Sequence, residues 1–418
     1  METEATAAVS ALRIVITNTP LPTTTPAIET DIEAATPVKT STPLLRPSPS
    51  TPLSATPTSR PAFPPFEGPP LQRERIGIQV HIHHEDIEEI VEHLETLGVG
   101  WVKVQVSWKL YQPDRDRYDM ERFAELDELI RTAREREIDV LLGVSKAPEW
   151  SRSTTEQDGP PLDYSLYADF MSFLADRYRG QVDAYELWNE PNLQREWNGA
   201  VLSAADFAQL VEIGAEGARA ADPEILIISG APAVTGINDG IVAIDDRVYL
   251  RGMLEAGIET VVDAIGVHPY GWANPPGSSF EKPASFVTSH HDHPSFFFQD
   301  TLADYSNLLD ENGVSKQLWA TEFGWGSFDG ILNKQGTPEP APDHASFMNQ
   351  VSEFQQATYN LQALQTAQTM DVIGPLFLWN LNFGPLLGTQ FSESGYSLLG
   401  TDGSPRPAYL SLQHAAKK

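Results

Sequence analysis

The chain has 418 residues, 41% of them apolar, enough for one large domain or two ordinary ones. Asp and Glu number 58 against 28 Lys and Arg, a formal net charge of -30, which argues against nucleic acid or an anionic membrane as partner, since a phosphate surface is gripped by clustered cations. Cysteine is absent, which excludes disulfides, thiolate zinc sites and a cysteine nucleophile.

Residues 1–72 hold 14 of the 33 prolines, in runs such as "RPSPSTPLSATPTSRP" and "PAFPPFEGPP". Proline removes backbone donors and favours extended chain, so this segment reads as a disordered Thr/Ser/Pro-rich linker. Spacers of this composition hold extracellular domains away from a surface, which gives the expectation of an extracellular or cell-surface protein. No apolar run approaches the roughly 20 residues of a membrane helix, so membrane insertion is not expected. The run "VSALRIVIT" near the start is too short, and lacks the preceding basic segment, to read as a signal peptide.

From residue 73 to 418 a regular rhythm replaces the prolines. Short β-branched runs mark strands at 76–82, 100–108, 139–145, 182–188, 225–230, 263–270, 317–324 and 373–380. Between them lie segments with apolar residues at three- and four-residue spacing, at 85–98, 120–137, 164–180 and 203–220. Ser203 suits an N-cap, and Gly98 and Gly180 suit helix stops. Eight strands with helical material between them predict an α/β fold of the (β/α)8 TIM-barrel class. A doubly wound sheet is the alternative, but no glycine-rich phosphate loop follows the first strand.

In such barrels the site lies at the C-terminal ends of the strands. In chain order those ends carry His81 and His83, Gln105 and Trp108, Lys146 and Trp150, and Asn189 and Glu190. The second half adds Ser229, His268 and Tyr270, Glu322 and Trp325, and Trp379 and Asn380. Carboxylates, amides and indoles on one face suit a sugar: indole faces stack on pyranose rings, and amides and carboxylates bond hydroxyls. Cleaving a glycosidic bond takes one carboxylic acid to protonate the leaving oxygen and a second carboxylate on the other side. Glu190 and Glu322 end the fourth and seventh strands and meet that need.

The motifs "LWNEPN" (187–192) and "WATEFGW" (319–325) resemble the two signatures of clan A of the glycoside hydrolases, with families 5 and 39 nearest. "GVHPYG" (266–271), "FLWN" (377–380), "VKVQVSW" (102–108) and "KAPEW" (146–150) are similar to the clan's sixth-, eighth-, second- and third-strand segments. The resemblance implies a retaining glycoside hydrolase without cofactor or metal, with Glu190 as acid/base and Glu322 as nucleophile. It further implies that Asn189 bonds the sugar 2-hydroxyl and that Tyr270 donates to Glu322. His268 lines the subsite, Trp379 floors it, and Trp150 and Trp325 serve as platforms. One departure stands out. Where the clan often carries Arg on the second strand, supporting the nucleophile, this chain has Lys103, a point charge in place of a fork. Either Lys103 takes that role or Gln105 and His83 do. The chemistry also asks that Glu190 be protonated near neutral pH, so a raised pKa is expected there.

Other segments pull less. "HIHH" (81–84) resembles the opening of a metal-dependent hydrolase site, but such sites end on an eighth-strand Asp where "FLWNLNFG" has Asn. Glu186 shares a strand face with Trp188, deeper than Glu190, and reads as structural. "SHHDH" (289–293) reads as a solvated loop, and the long segments 272–297 and 326–348 as shapers of substrate access. The expected partner is a neutral or weakly charged glycan, and the default assembly is a monomer. The alternative from another class is a surface-tethered glycan-binding pseudoenzyme, whose mark would be a missing carboxylate.

Overall fold

The computed structural model describes residues 63–418. Eight parallel strands close into one barrel in sequence order: β1 (Ile76–Val80), β2 (Trp101–Ser107), β3 (Asp139–Ser145), β4 (Ala184–Leu187), β5 (Leu226–Ser229), β6 (Ala264–Val267), β7 (Gln317–Phe323) and β8 (Ile373–Leu378). Among the described residues ten α-helices accompany them. The first five are α1 (Ile87–Leu97), α2 (Trp108–Tyr111), α3 (Met120–Glu135), α4 (Ser165–Arg177) and α5 (Ala204–Ala221). The rest are α6 (Asp246–Glu255), α7 (Phe298–Glu311), α8 (Glu353–Ala367), α9 (Phe383–Leu387) and α10 (Pro407–His414). This is the TIM barrel the alternation predicts, and the doubly wound alternative falls because β8 pairs with β1.

The strands read as continuous apolar runs because both faces are covered, one by helices and one by the barrel interior. Helix boundaries follow local chemistry. Ser203 caps α5 through Asp206 N, and Gly98 ends α1 in the left-handed region at φ 65°, where a Cβ would be strained. Ser352 and Gln355 form a reciprocal capping box on α8.

Most of the expected linker lies outside the described residues. Its last ten residues, 63–72, are not linker: they pack on the barrel. Leu71 is 1% exposed, its N–H donates to Ala416 O, and its carbonyl accepts from Lys418 N. Proline count hid this short docked segment, whose one buried leucine makes a backbone bridge with Lys417. Among the described residues no helix is long and apolar enough to cross a membrane.

The barrel interior is layered. A floor of Trp101, Leu141, Ala184, Ile228, Ala264, Trp319 and Phe377 forms its own apolar cluster. Trp101 meets Trp319 edge to face at 5.2 Å, so both tryptophans belong to the core. One step further along the same strands the filling turns polar, with Lys103 after Trp101 and Glu186 after Ala184. Gly143 faces this layer from β3, where a Cβ would lie 2.8 Å from Gln105 Oε1 and 3.2 Å from Glu186 Oε2. The missing side chain leaves room for the buried charges.

β7 breaks the simple alternation. Trp319 lies in the barrel, so a strict period of two would send Glu322 outward. Between Ala320 and Phe323, however, β7 takes three steps while β8 takes two, from Leu376 to Leu378. That bulge resets the phase and turns Glu322 to the mouth. A compensating irregularity on β8 spans Pro375, which has no N–H to give the ladder.

Candidate active site

Two carboxylates meet at the mouth. β4 ends at Leu187, and Trp188 and Glu190 both adopt positive φ, 79° and 45°. Such strain in non-glycine residues persists where the surroundings enforce it. Here they do: Trp188 is 1% exposed and donates its indole N–H to Glu196 O, and Glu190 N donates to Ala231 O. Asn192 pins the loop by bonding Ala233 at both N and O and also Ile244 O. The turn therefore presents the Glu190 carboxylate in one direction.

His268, fully buried at the end of β6, sits between the two acids. Its Nδ1 is 3.4 Å from Glu190 Oε1 and 3.9 Å from Glu322 Oε2. Burial alone would lower the His268 pKa, but Glu322 and Glu190 together raise it above the ordinary value. Tyr270 donates its hydroxyl to Glu322 Oε2 at 3.0 Å. Lys103, 0% exposed, reaches Glu322 Oε1 at 3.4 Å, Thr321 O at 3.1 Å and Glu186 Oε2 at 2.7 Å. Desolvation works against its charge, and the two glutamates overcome it and hold the ammonium protonated. Gln79 of β1 completes the set, oriented by its neighbours so that its amide donates to Glu322 Oε1 (3.2 Å) and accepts from Trp379 Nε1 (3.0 Å).

Glu190 differs from the expectation of a raised pKa. Burial does push it up, but His268 and Arg195 outweigh burial and bring its carboxyl down to about 2. Arg195 Nη2 donates to Glu190 Oε2 at 2.7 Å. Without a substrate, then, both faces of the Glu190 carboxylate are met by donors, and the group is an anion.

This arrangement of Asn189-Glu190 after β4 and Glu322 on β7 sits on a chain whose residues 68–362 match the sequence profile of the Cellulase family, glycosyl hydrolase family 5. The chain belongs to that family. A stretch of 87 residues is 31% identical to a β-xylosidase from Geobacillus stearothermophilus, covering 19% of this chain and 16% of that protein. In three dimensions the family 5 chain is similar to a family 39 glycoside hydrolase from the gut symbiont Bacteroides cellulosilyticus WH2. The TM-score is 0.60 at 18% identity, over 82% of this chain and 64% of that one. It is also similar to a family 5 structure from Streptomyces cattleya solved with GlcNAc, with TM-score 0.55, 15% identity and 83% of each chain covered. The chain thus spans less than two thirds of the β-xylosidase and of the Bacteroides enzyme.

The remaining residues divide by placement. Trp379 is half-buried at the mouth and meets Tyr396 and Tyr270 edge to face. Asn189 is 8% exposed, and its Oδ1 has no partner among the described residues. Trp325 is not a platform. It is 0% exposed, donates its N–H to Asn274 O at 2.7 Å, and packs on Phe298 and Tyr359. The chain turns at Gly324, just past β7, and carries the indole under the 272–297 segment. Trp150 is half-buried, with its N–H on Gln112 O and its edge against Trp108, and its contacts do not reach either acid.

Nor do Gln105 and His83 support Glu322. Gln105 donates to Ser145 Oγ, and His83 turns away to Glu125 of α3 at 2.9 Å. The side chains that do reach Glu322 are Lys103, Gln79 and Tyr270. His83, His84 and Glu125 bring three ligand-type atoms within 4.8 Å of one another, a set that could hold a metal ion. Its contacts run to α3 and not to Glu190 or Glu322. Glu186, 0% exposed, is the structural partner of Lys103.

The two long segments pack on each other through apolar side chains, and within "SHHDH" His290 turns inward while His291 and Asp292 stay exposed. Trp272, Phe296, Phe297, Phe328, Phe347 and Met348 form one apolar cluster, with Tyr270 and Tyr396 against it. His290 of "SHHDH" stacks on Trp272, and burial takes its pKa down to about 4. Sequence reasoning missed Gln79, Arg195, Glu196 and Tyr396. A polar residue inside the apolar run "IGIQV" was a readable signal for Gln79. Arg195 and Glu196 had none, since they sit in a polar loop.

Proposed function

We propose that the protein is a retaining β-glycoside hydrolase that acts by double displacement on a neutral or weakly charged oligo- or polysaccharide. The observation that carries this reading is the sharing of His268 Nδ1 by Glu190 and Glu322, one from β4 and one from β7, in a family 5 barrel. Glu322 attacks the anomeric carbon, while Glu190 gives a proton to the departing oxygen. Glu190 then takes a proton from the water that releases the sugar. Tyr270 and Gln79 donate hydrogen bonds to Glu322, and Lys103 lies 3.4 Å from it, so the three aim its side chain at the ring. The unpartnered Oδ1 of Asn189 accepts from the sugar 2-hydroxyl, and Trp379 lies under the ring. The names of the relatives, a β-xylosidase and, among similar folds, an exo-β-1,4-mannosidase from an Opitutaceae bacterium, favour a β linkage.

The test is a panel of aryl β-glycosides with β-glucans, mannans and xylans, and proton NMR of the first-formed anomer. Glu190→Gln and Glu322→Gln each reduce turnover on unactivated substrates by about 10³-fold or more while the fold is retained by circular dichroism. Near-normal turnover in either variant, or release of the inverted anomer, sinks the reading. The pseudoenzyme alternative finds no support, because neither carboxylate is missing. The composition of residues 1–72 supports action outside the cell, and a single barrel supports a monomer; fractionation and light scattering test these.

A further inference from the structure

The loop after β4 carries a second buried acid. Glu196 is 3% exposed, and Arg195 lies between it and Glu190. One guanidinium nitrogen is 2.7 Å from Glu190 Oε2, while Nε is 3.9 Å from Glu196 Oε1. That Nε is buried with no hydrogen-bond partner. The fork thus holds one of the two carboxyls and reaches toward the other. Its side chain is 24% exposed, against 12% for Glu190 and 4% for Glu196, so it has the most room to move.

The resting state conflicts with the chemistry. A general acid must carry a proton when substrate binds, and Glu190 is held as an anion. Glu196 is the reverse: burial raises its carboxyl to about 7 against the pull of Lys146 and Arg195, so below that pH it keeps a proton that Glu190 has lost.

We propose that Arg195 toggles between these two acids, and that its move from Glu190 to Glu196 as substrate enters exchanges one proton from Glu196 to Glu190 and arms the general acid. This rests on the assignment of Glu190 as acid/base. The step balances. One O–H bond breaks at Glu196 and one forms at Glu190, the proton passing through solvent at the mouth, and Arg195 stays cationic throughout. A sugar seated against Glu190 removes water from it and so favours its neutral form. Ionised Glu196 then has two cations, Arg195 and Lys146. Once the leaving group has taken the proton, Glu190 is again an anion; it then takes a proton from the attacking water, and that proton goes back to Glu196 as Arg195 returns to Glu190.

Other groups face this set. His268 and Tyr270 of the β6 end face Glu190. Lys146 and Asp158 face Glu196, and Glu393, past β8, faces Arg195. None of them touches both Glu190 and Glu196 as Arg195 does.

The experiment compares pH profiles of kcat/KM for wild type, Arg195→Gln, Glu196→Gln and Glu190→Gln. The probes are phenyl and 2,4-dinitrophenyl β-glycosides of the sugar found by the panel, since the second leaving group needs little protonation. With Arg195→Gln, burial acts on Glu190 without the cation, and the basic limb moves up by about one pH unit or more. With Glu196→Gln the reservoir is gone and Arg195 stays on Glu190. The phenyl substrate then loses about tenfold or more at neutral pH, and the dinitrophenyl substrate much less. Should Arg195→Gln melt early, Arg195→Lys is read instead: its ammonium keeps a cation on Glu190 but cannot span both acids, so the phenyl substrate is expected to lose about tenfold or more at neutral pH and the dinitrophenyl substrate much less. Unmoved limbs together with equal losses on both substrates overturn the toggle. Retained phenyl-glycoside activity in Glu190→Gln overturns the acid/base assignment itself, a separable result.

Discussion

The floor of the barrel and its mouth are filled from the same strands, one alternation step apart. Trp101 and Lys103 share a face of β2, as Ala184 and Glu186 share a face of β4. Below, rings and aliphatic chains close the bottom by area alone. Above, Lys103 is balanced by Glu186 and Glu322, and His268 by Glu322 and Glu190. A buried ion contributes only when its partners remain, because desolvation offsets much of the attraction. The floor therefore tolerates changes that keep volume, while the mouth tolerates only changes that keep charge balance.

The largest effect should come from breaking that balance. Lys103→Met leaves two carboxylates facing each other in a buried space and costs about 5 kcal/mol of stability, the upper end for removing one member of a buried pair. Denaturant titration reads the loss, and adding Glu186→Gln recovers part of it. If the single variant is as stable as wild type, the charge ledger at the mouth is wrong. Next comes the floor. Trp319→Ala opens a cavity beside Trp101 and Phe377 and costs roughly 3–5 kcal/mol. The pH profile of the surviving folded enzyme should keep its limbs, since the floor holds no group that titrates with the site; a moved limb would join the two layers.

The smallest effect tests buried Glu196. An acid whose folded pKa is raised keeps its proton in the native state after the unfolded chain has lost it. Stability then falls as pH rises from the ordinary 4.5 toward about 7, and levels above that. Glu196→Gln removes this contribution, so its denaturation midpoint should fall less than wild type between those pH values. Equal slopes would mean that Glu196 is already ionised.

Much of this was readable beforehand. Strand positions followed from β-branched runs between amphipathic segments, because a parallel barrel buries both faces of each strand. Glu190 and Glu322 stood out because a site at strand ends leaves few positions to inspect. Trp325 misled for the same reason: a strand-end tryptophan looks alike whether it faces a ligand or a loop. Its burial comes from the 272–297 segment folding over it, a long-range contact with no local signal. His83 misled because a turn after β1 sends it to α3.

The sequence by itself determined the periodic elements, their order, and the two acids in their motifs, because these depend on residues close together in the chain. Only the tertiary structure decided which partners those acids meet. The β7 bulge that turns Glu322 inward depends on register with β8, and the grip of Arg195 on Glu190 depends on the fold of one polar loop. Whether the Glu190 carboxyl holds or loses its proton is set by its burial, by His268 from the end of β6 and by Arg195 of its own loop, and that sum of burial and charge exists only once the barrel is closed.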